Sequence, residues 1–312
     1  MKKVSLVLPV YNESDSLNEL FLRLKKVAVN EENYEFEFIF VNDGSTDKTL
    51  EKLLAIKNQN SNIAILELTR NFGKELALSA GLFEAKGEVV VMLDTDLQHP
   101  PEIISEFLRK WENGAEVVVG VRNRNKSEGF LKRFGSYLFY KIMGAIGEAK
   151  VTARSTDFRL LDKIVLEHFN KLTEHQRMTR GLIDWLGFNT EYVYFEAEER
   201  KSGQPKYNFF KLLHLAISTF VSNSLFPLKF AGYLGVVITG FSGIFGLFIL
   251  FERFVFNDPW NFRFSGPAIL ATLTIFLIGI VLICLGLVAL YIGQIHAEVT
   301  NRPLYVVRKK YD

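Results

Sequence analysis

Two carboxylates one residue apart, Asp94 and Asp96 in the stretch Asp94-Thr95-Asp96-Leu97-Gln98, are the groups most able to do chemistry in this chain. Set that close, they repel each other unless a cation lies between them. Carboxylate oxygens, the amide oxygen of Gln98 and the phosphate oxygens of a substrate would form a hard oxygen site, suited to Mg²⁺ or Mn²⁺. A plainer role is also open, because a helix beginning at Pro100-Pro101 would accept either aspartate as a cap. Position favours chemistry. The pair follows Val89-Val90-Val91-Met92-Leu93, an apolar run with the length and β-branching of a buried parallel strand. Ligands in open α/β sheets bind beyond the carboxyl ends of such strands.

Two more strand ends carry polar groups. Pro9-Val10-Tyr11-Asn12-Glu13 puts an aromatic ring beside a carboxylate, suited to stacking on a base and accepting from a base or ribose. Val41-Asn42-Asp43-Gly44-Ser45-Thr46-Asp47 sets Asp43 before a glycine turn, where it could accept a uracil N–H or a ribose hydroxyl. The same stretches offer helix caps, Asn12 or Ser14 in the first and Ser45 or Asp47 in the second. Both roles can coexist, since different residues serve each. No Gly-x-x-x-x-Gly-Lys-Ser/Thr occurs, and no Gly-x-Gly-x-x-Gly follows the first strand. Both absences count against P-loop enzymes and dinucleotide oxidoreductases.

The elements that must position these groups alternate along the first two thirds of the chain. Strands are expected at Val4–Val10, Phe36–Val41, Ile63–Leu68, Val89–Leu93 and Glu116–Gly120. Helices are expected at Ser14–Val29, Thr46–Asn58, Lys74–Ala85 and Pro101–Trp111. Such alternation predicts an α/β domain over residues 1–207, a mostly parallel sheet with helices on both faces. A chain of 312 residues, 48% hydrophobic, has room for that domain and more. Its net charge of +2 gives no case for nucleic acid. The single cysteine, Cys284, excludes a disulfide framework and a cysteine-based zinc site. Met1-Lys2-Lys3 and the following run end at Pro9 without a cleavage site, so this is a first strand rather than a signal peptide.

Beyond Tyr207 the character changes. Phe230–Phe251 and Phe264–Ile295 hold no charged residue, and about 20 apolar residues suffice to cross a bilayer. Two membrane helices are expected, at about residues 230–251 and 266–293, joined by a polar loop. The mixed segment 208–228 suits an interfacial amphipathic helix. Phe130–Ile146 has a similar pattern, which also fits a soluble amphipathic helix. Lys211, Lys229, Arg302, Arg308, Lys309 and Lys310 flank the outer ends of the spans. The positive-inside rule then places the first domain, the tail 296–312 and both termini in the cytoplasm, on the cytoplasmic membrane. Gly232, Gly235, Gly240, Gly243 and Gly246 permit close helix contacts within or between subunits. Pro303-Leu304-Tyr305-Val306-Val307 looks like a strand able to pair with a neighbouring chain, so a homo-oligomer is open.

Together, Leu8-Pro9-Val10-Tyr11-Asn12-Glu13, Val41–Asp47 and Asp94-Thr95-Asp96-Leu97-Gln98-His99-Pro100 resemble the GT-A fold of family 2 glycosyltransferases. With Arg70-Asn71-Phe72-Gly73-Lys74-Glu75 and two C-terminal spans, the chain resembles the polyprenyl-phosphate branch. That branch includes dolichyl-phosphate mannose synthases and bactoprenol glucosyltransferases. The resemblance implies that Pro9, Tyr11, Glu13, Asp43, Lys74 and Asp94 hold a nucleotide sugar. It implies that Asp94, Asp96 and Gln98 assemble a metal–diphosphate site. Asp157, in Ser155-Thr156-Asp157-Phe158-Arg159, corresponds to the proposed catalytic base. A lipid phosphate is already anionic near neutral pH, its second pKa being about 6, so Asp157 could instead orient the donor sugar or an arginine. Arg122, Arg133, Arg159, Arg200 and Lys206 are the candidates to bind that phosphate. The loop Arg200–Tyr207 resembles the acceptor loop of the branch. Arg177 and Arg180 are expected to be structural or near the acceptor.

The implied activity is inverting, metal-dependent transfer of a hexose to undecaprenyl or another polyprenyl phosphate. UDP-glucose is the expected donor, ahead of UDP-GlcNAc, UDP-galactose and GDP-mannose. Rival expectations are transfer to another lipid, such as diacylglycerol, and a non-catalytic membrane scaffold.

Overall fold

Mostly apolar runs of four to nine residues form the strands, and the segments between them build the helices that cover both sheet faces. A computed structural model describes residues 1–123, 155–175, 177–196, 244, 266–300 and 302–312. In chain order these give β1 (Lys2–Val10), α1 (Leu17–Asn30), β2 (Tyr34–Asn42), α2 (Thr49–Lys57), β3 (Ile63–Leu68) and α3 (Lys74–Glu84). β4 (Val89–Met92), a short 3-10 turn (Pro101–Ile103), α4 (Ile104–Glu112), β5 (Val117–Arg122) and β6 (Ser155–Asp162) follow. Then come α5 (Lys163–Phe169), α6 (Thr179–Leu186), β7 (Thr190–Phe195), α7 (Gly266–Thr300) and β8 (Val307–Tyr311). The chain divides into two compact units, Met1–Lys206 with Arg302–Asp312, and Tyr207–Asn301.

Eight strands form one sheet in the order β7-β5-β6-β4-β1-β2-β3-β8. β1 pairs in parallel with β2 and β4, β2 with β3, and β5 with β7. The expected parallel sheet is therefore present, but two strands run against it. β6 lies antiparallel between β4 and β5, and β8 lies antiparallel on the β3 edge. β8 corrects the expectation for the tail. The pairing strand starts at Val307, and its partner is β3 of the same chain.

Residue alternation sorts the core into two layers. Leu6, Leu8, Phe38, Phe40 and Val91 face Leu17, Leu20, Leu24, Phe107 and Leu108, from α1 and α4. Val7, Ile39, Val41, Val90 and Met92 face Ala77, Leu78, Val165, Phe169 and Ile183, from α3, α5 and α6. Each buried Leu, Ile or Phe of these layers contributes roughly 1.5–3 kcal/mol. Gly81 lets α3 sit close to the sheet, because a Cβ there would lie 2.4 Å from Val7 Cγ1. The sheet thus holds the carboxyl ends of β1, β2 and β4 side by side.

α7 is one continuous helix of 35 residues, with Glu298 its only acidic or basic residue apart from His296. The side chains at several positions inside it are not described, and among the described residues no helix is long and apolar enough to cross a membrane. The expected span at 230–251, the amphipathic segments 130–146 and 208–228, and the glycines from Gly232 to Gly246 lie outside the described residues.

Candidate active site

At the end of β4, the turn carrying the two aspartates is fastened to β1, with Thr95 Oγ1 donating to the carbonyl of Pro9 at 3.2 Å. Leu97 is buried with a φ of 61°. That is a conformation a leucine holds only when its surroundings impose it. Asp96 Oδ1 accepts from Gln98 N at 3.2 Å. Neither the 3-10 turn nor α4 has a side-chain cap at its start. The two aspartates are therefore not helix caps. They face a pocket.

Lys74, the first residue of α3, reaches across that pocket. Its Nζ lies 2.6 Å from Asp94 Oδ1 and 2.6 Å from Asp157 Oδ2. The register of β4 against β6 explains the meeting. Met92 pairs with Arg159, so two residues further on the same register sets Asp94 opposite Asp157. Burial disfavours the Lys74 charge, but Asp94 and Asp157 outweigh it and hold the ammonium well above its ordinary range. Burial likewise opposes ionisation of Asp157, yet Lys74, then Arg180 and Arg159, keep its carboxyl below the usual value. Nothing local in the sequence marks these two partners of Lys74. They lie 20 and 83 residues away, and only the sheet register brings them together.

His99 is buried among Phe158 and Phe195. Its Nδ1 has no hydrogen-bond partner and lies 3.8 Å from Asp94 Oδ2. Burial pushes its pKa down, in keeping with a packed, neutral ring.

Asp43 also has a structural role at the site. Although it lines the pocket, it is 2% exposed. Its two oxygens accept from the backbone N–H groups of Phe72 and Gly73 at 2.7 and 2.9 Å. Burial raises its pKa despite these donors. Gly44 makes the contact possible: its φ is 66°, and a Cβ there would lie 2.5 Å from the Arg70 carbonyl carbon. Asp43 thus holds the Arg70–Lys74 loop, and through it Lys74. Of the expected caps, Asp47 serves the start of α2, accepting from Thr49 N at 3.0 Å. Asn12 instead accepts from Thr46 N at 2.8 Å, which binds the first two strand-end loops together.

The acceptor arginines divide. Arg122 closes β5 and donates to Gln98 Oε1 at 2.8 Å, with His99 Nε2 3.4 Å away. Its Nε is buried without a partner. Gln98 is correspondingly engaged by an arginine. Arg159 is a correction: it is fully buried, paired with Asp184 at 2.5 Å and donating to the carbonyls of Thr156 and Arg180. A guanidinium consumed in the core cannot reach a lipid phosphate. Arg177 is structural, donating to the Leu172 and Glu174 carbonyls. Arg133, Arg200 and Lys206 lie outside the described residues.

The resulting pocket, about 320 Å³, is lined by Pro9, Tyr11, Glu13, Asp43, Lys74, Asp94 and Asp96 among others. Among the described residues no three acidic, histidine or cysteine side chains converge on one point. Two pocket carboxylates nevertheless suit a hard divalent ion that takes its remaining ligands from water and phosphate.

A sheet whose strand ends gather carboxylates and a lysine around one crevice defines a glycosyltransferase of the mixed α/β, Rossmann-like GT-A class. More narrowly, the chain belongs to glycosyl transferase family 2, which matches residues 5–169. An uncharacterized glycosyltransferase of Synechocystis sp. is 40% identical over 98% of this chain and 94% of that protein. A prophage-derived bactoprenol glucosyl transferase of Shigella flexneri is 36% identical over 99% of this chain and 98% of its own length. Among solved structures, mannosyl-3-phosphoglycerate synthase from Rubrobacter xylanophilus shares the fold. Its TM-score is 0.51 at 17% identity, over 69% of this chain and 70% of that one.

Proposed function

We propose that the protein is a membrane-bound, inverting glycosyltransferase that moves a hexose from a nucleotide diphosphate sugar to a polyprenyl phosphate, with UDP-glucose as donor. The carrying observation is the pocket in which Tyr11, Glu13, Lys74, Asp94 and Asp96 meet at the strand ends. Relatives described as bactoprenol glucosyl transferases, 34–36% identical over nearly the whole chain, supply the acceptor class.

On this reading Tyr11 and Glu13 hold the nucleoside, and the Asp43-fastened loop carries Lys74 towards the diphosphate. Asp94 and Asp96 would hold Mg²⁺ or Mn²⁺, which offsets the negative charge gathering on the leaving nucleoside diphosphate. An oxygen of the lipid phosphate attacks the anomeric carbon on the face opposite the leaving group. The new C–O bond forms as the bond to the diphosphate breaks, and the configuration inverts. Because the attacking oxygen is already anionic at neutral pH, with a second pKa of about 6, no proton has to be removed. Asp157, held ionised beside Lys74, then orients groups rather than serving as an obligatory base. Arg122, whose Nε has no partner, is the described arginine best placed for the acceptor, with Arg133, Arg200 and Lys206 as further candidates.

The uncharged stretches 230–251 and 264–295 would be two spans that tether the site beside an acceptor confined to the bilayer. Their basic flanks favour a cytoplasmic-membrane protein with the catalytic unit and both termini inside.

Incubating the purified protein with labelled nucleotide sugars, Mn²⁺ and undecaprenyl phosphate should yield a mild-acid-labile glycolipid, most strongly with UDP-glucose. Product from diacylglycerol instead would transfer the assignment to that acceptor. Folded protein that forms no glycolipid with any common donor would remove it.

A further inference from the structure

We infer that Lys74 is a placeholder cation, holding Asp94 and Asp157 together until a donor arrives and so making metal entry depend on the nucleotide. The inference rests on Asp94 and Asp96 being the metal–diphosphate site.

Three observations carry it. The Lys74 ammonium lies 2.6 Å from an oxygen of each carboxylate, so it already offsets part of the charge that would draw a divalent ion. Asp94 makes the contact bidentately, its Oδ2 also accepting from Nζ at 2.8 Å. The lysine also stands on a long stem at the first turn of α3, directly after Gly73, whose φ is 99°. The Lys74 side chain is 41% exposed. Swinging Nζ from Asp94 to a neighbouring phosphate therefore requires side-chain rotation and no rebuilding of the sheet.

Charge then sets the order of events. Without donor, a divalent ion entering beside Asp94 meets a resident cation a few ångströms away and must displace it from two carboxylates. A nucleoside diphosphate changes the balance, because its phosphate oxygens give Lys74 a new partner as they supply ligands to the ion. Asp94 passes to the metal, and Asp157 is released towards the sugar and acceptor. Before that exchange, Asp157 is tied to the ammonium.

Mn²⁺ binding by the full-length protein in detergent, read by the EPR signal of free Mn²⁺, separates the possibilities. With Mn²⁺ alone the wild type should bind weakly, and UDP or GDP should tighten binding strongly. Lys74→Met and Lys74→Gln should each bind Mn²⁺ alone at least about tenfold more tightly, the size expected when a nearby unit charge is removed at a part-exposed site. Their gain from nucleotide should shrink accordingly. Lys74→Arg, which keeps the charge, should follow the wild type. Binding of Mn²⁺ alone that is equal in Met, Gln and wild-type proteins, or weaker in the two variants, overturns the inference. Asp96→Ala tests the underlying assignment separately: nucleotide-assisted Mn²⁺ binding that survives it removes the metal site, whatever Lys74 does.

Discussion

Asp43 shows how a carboxylate at a strand end can hold a neighbouring loop in place. Both its oxygens are taken by the Phe72 and Gly73 amides, and those amides begin the helix that presents Lys74. An Asn in its place keeps one acceptor but turns an NH₂ towards a second N–H donor. Leaving a buried donor unpaired costs about 1–3 kcal/mol. Asp43→Asn should therefore lower stability to denaturant by that amount and raise KM for the donor, while UDP and GDP sugars are affected alike. Unchanged stability, with loss confined to one base, would return Asp43 to the role of a base reader. The aspartates of the β4 turn were easier to place from sequence. Val89–Met92 runs straight into them, and a buried parallel strand reads as an unbroken apolar run.

Elements that obey that rule were legible, and those that break it were not. β1 to β5 and the helices between them follow from apolar runs and helical spacing. β6 carries Ser155, Thr156, Asp157 and Arg159 at the sheet's centre, a composition that suggests a loop. It is tolerated because Asp184 of α6 neutralises the buried Arg159 and Thr156 Oγ1 donates to the Gly120 carbonyl. Neither partner can be inferred from local pattern. β8 reads as a solvated basic tail, Val307-Arg308-Lys309-Lys310-Tyr311. Its signal lay elsewhere, in Glu67 within the apolar β3, which accepts from Arg308 and the Tyr311 hydroxyl at 3.3 and 3.0 Å. Lys310 likewise pairs with Glu84 at 2.7 Å. β8 covers a sheet edge that would otherwise present unpaired backbone, and the Thr69 amide donates to Val306 just before the loop held by Asp43. Deleting residues 302–312 should abolish hydrogen-exchange protection at Thr69 and loosen the 70–74 segment, leaving β1 and β4 protected. Protection at Thr69 that is unaltered by the deletion would deny β8 this bracing role.

At the scale of the molecule, ion pairs such as Lys3–Glu37 and Arg23–Glu102 tie the sheet-bearing unit, and acid should act on it more than on α7. Burial opposes ionisation of Glu37, but Lys3, Ser5 and the Lys86 amide hold its carboxyl low. Arg23 does the same for Glu102, against burial, and Lys74 for Asp157. A carboxyl whose pKa is lower folded than unfolded contributes stability above the unfolded value, and that contribution is lost as pH falls through the folded value. The reference values are about 4 for Asp and Glu. Stability of the full-length protein in detergent should therefore be level near neutrality and decline between about pH 5 and pH 3. In its 35 residues α7 has one carboxylate side chain, Glu298, and one histidine, His296. Its amides should stay protected from exchange at pH 3.5 while those of β1, β4 and β6 open. Glu37→Gln should flatten the decline, since it removes one of the protons taken up on unfolding. A stability that rises towards pH 3, or exchange that opens α7 with the sheet, would show that these ion pairs do not set the acid limit of the fold.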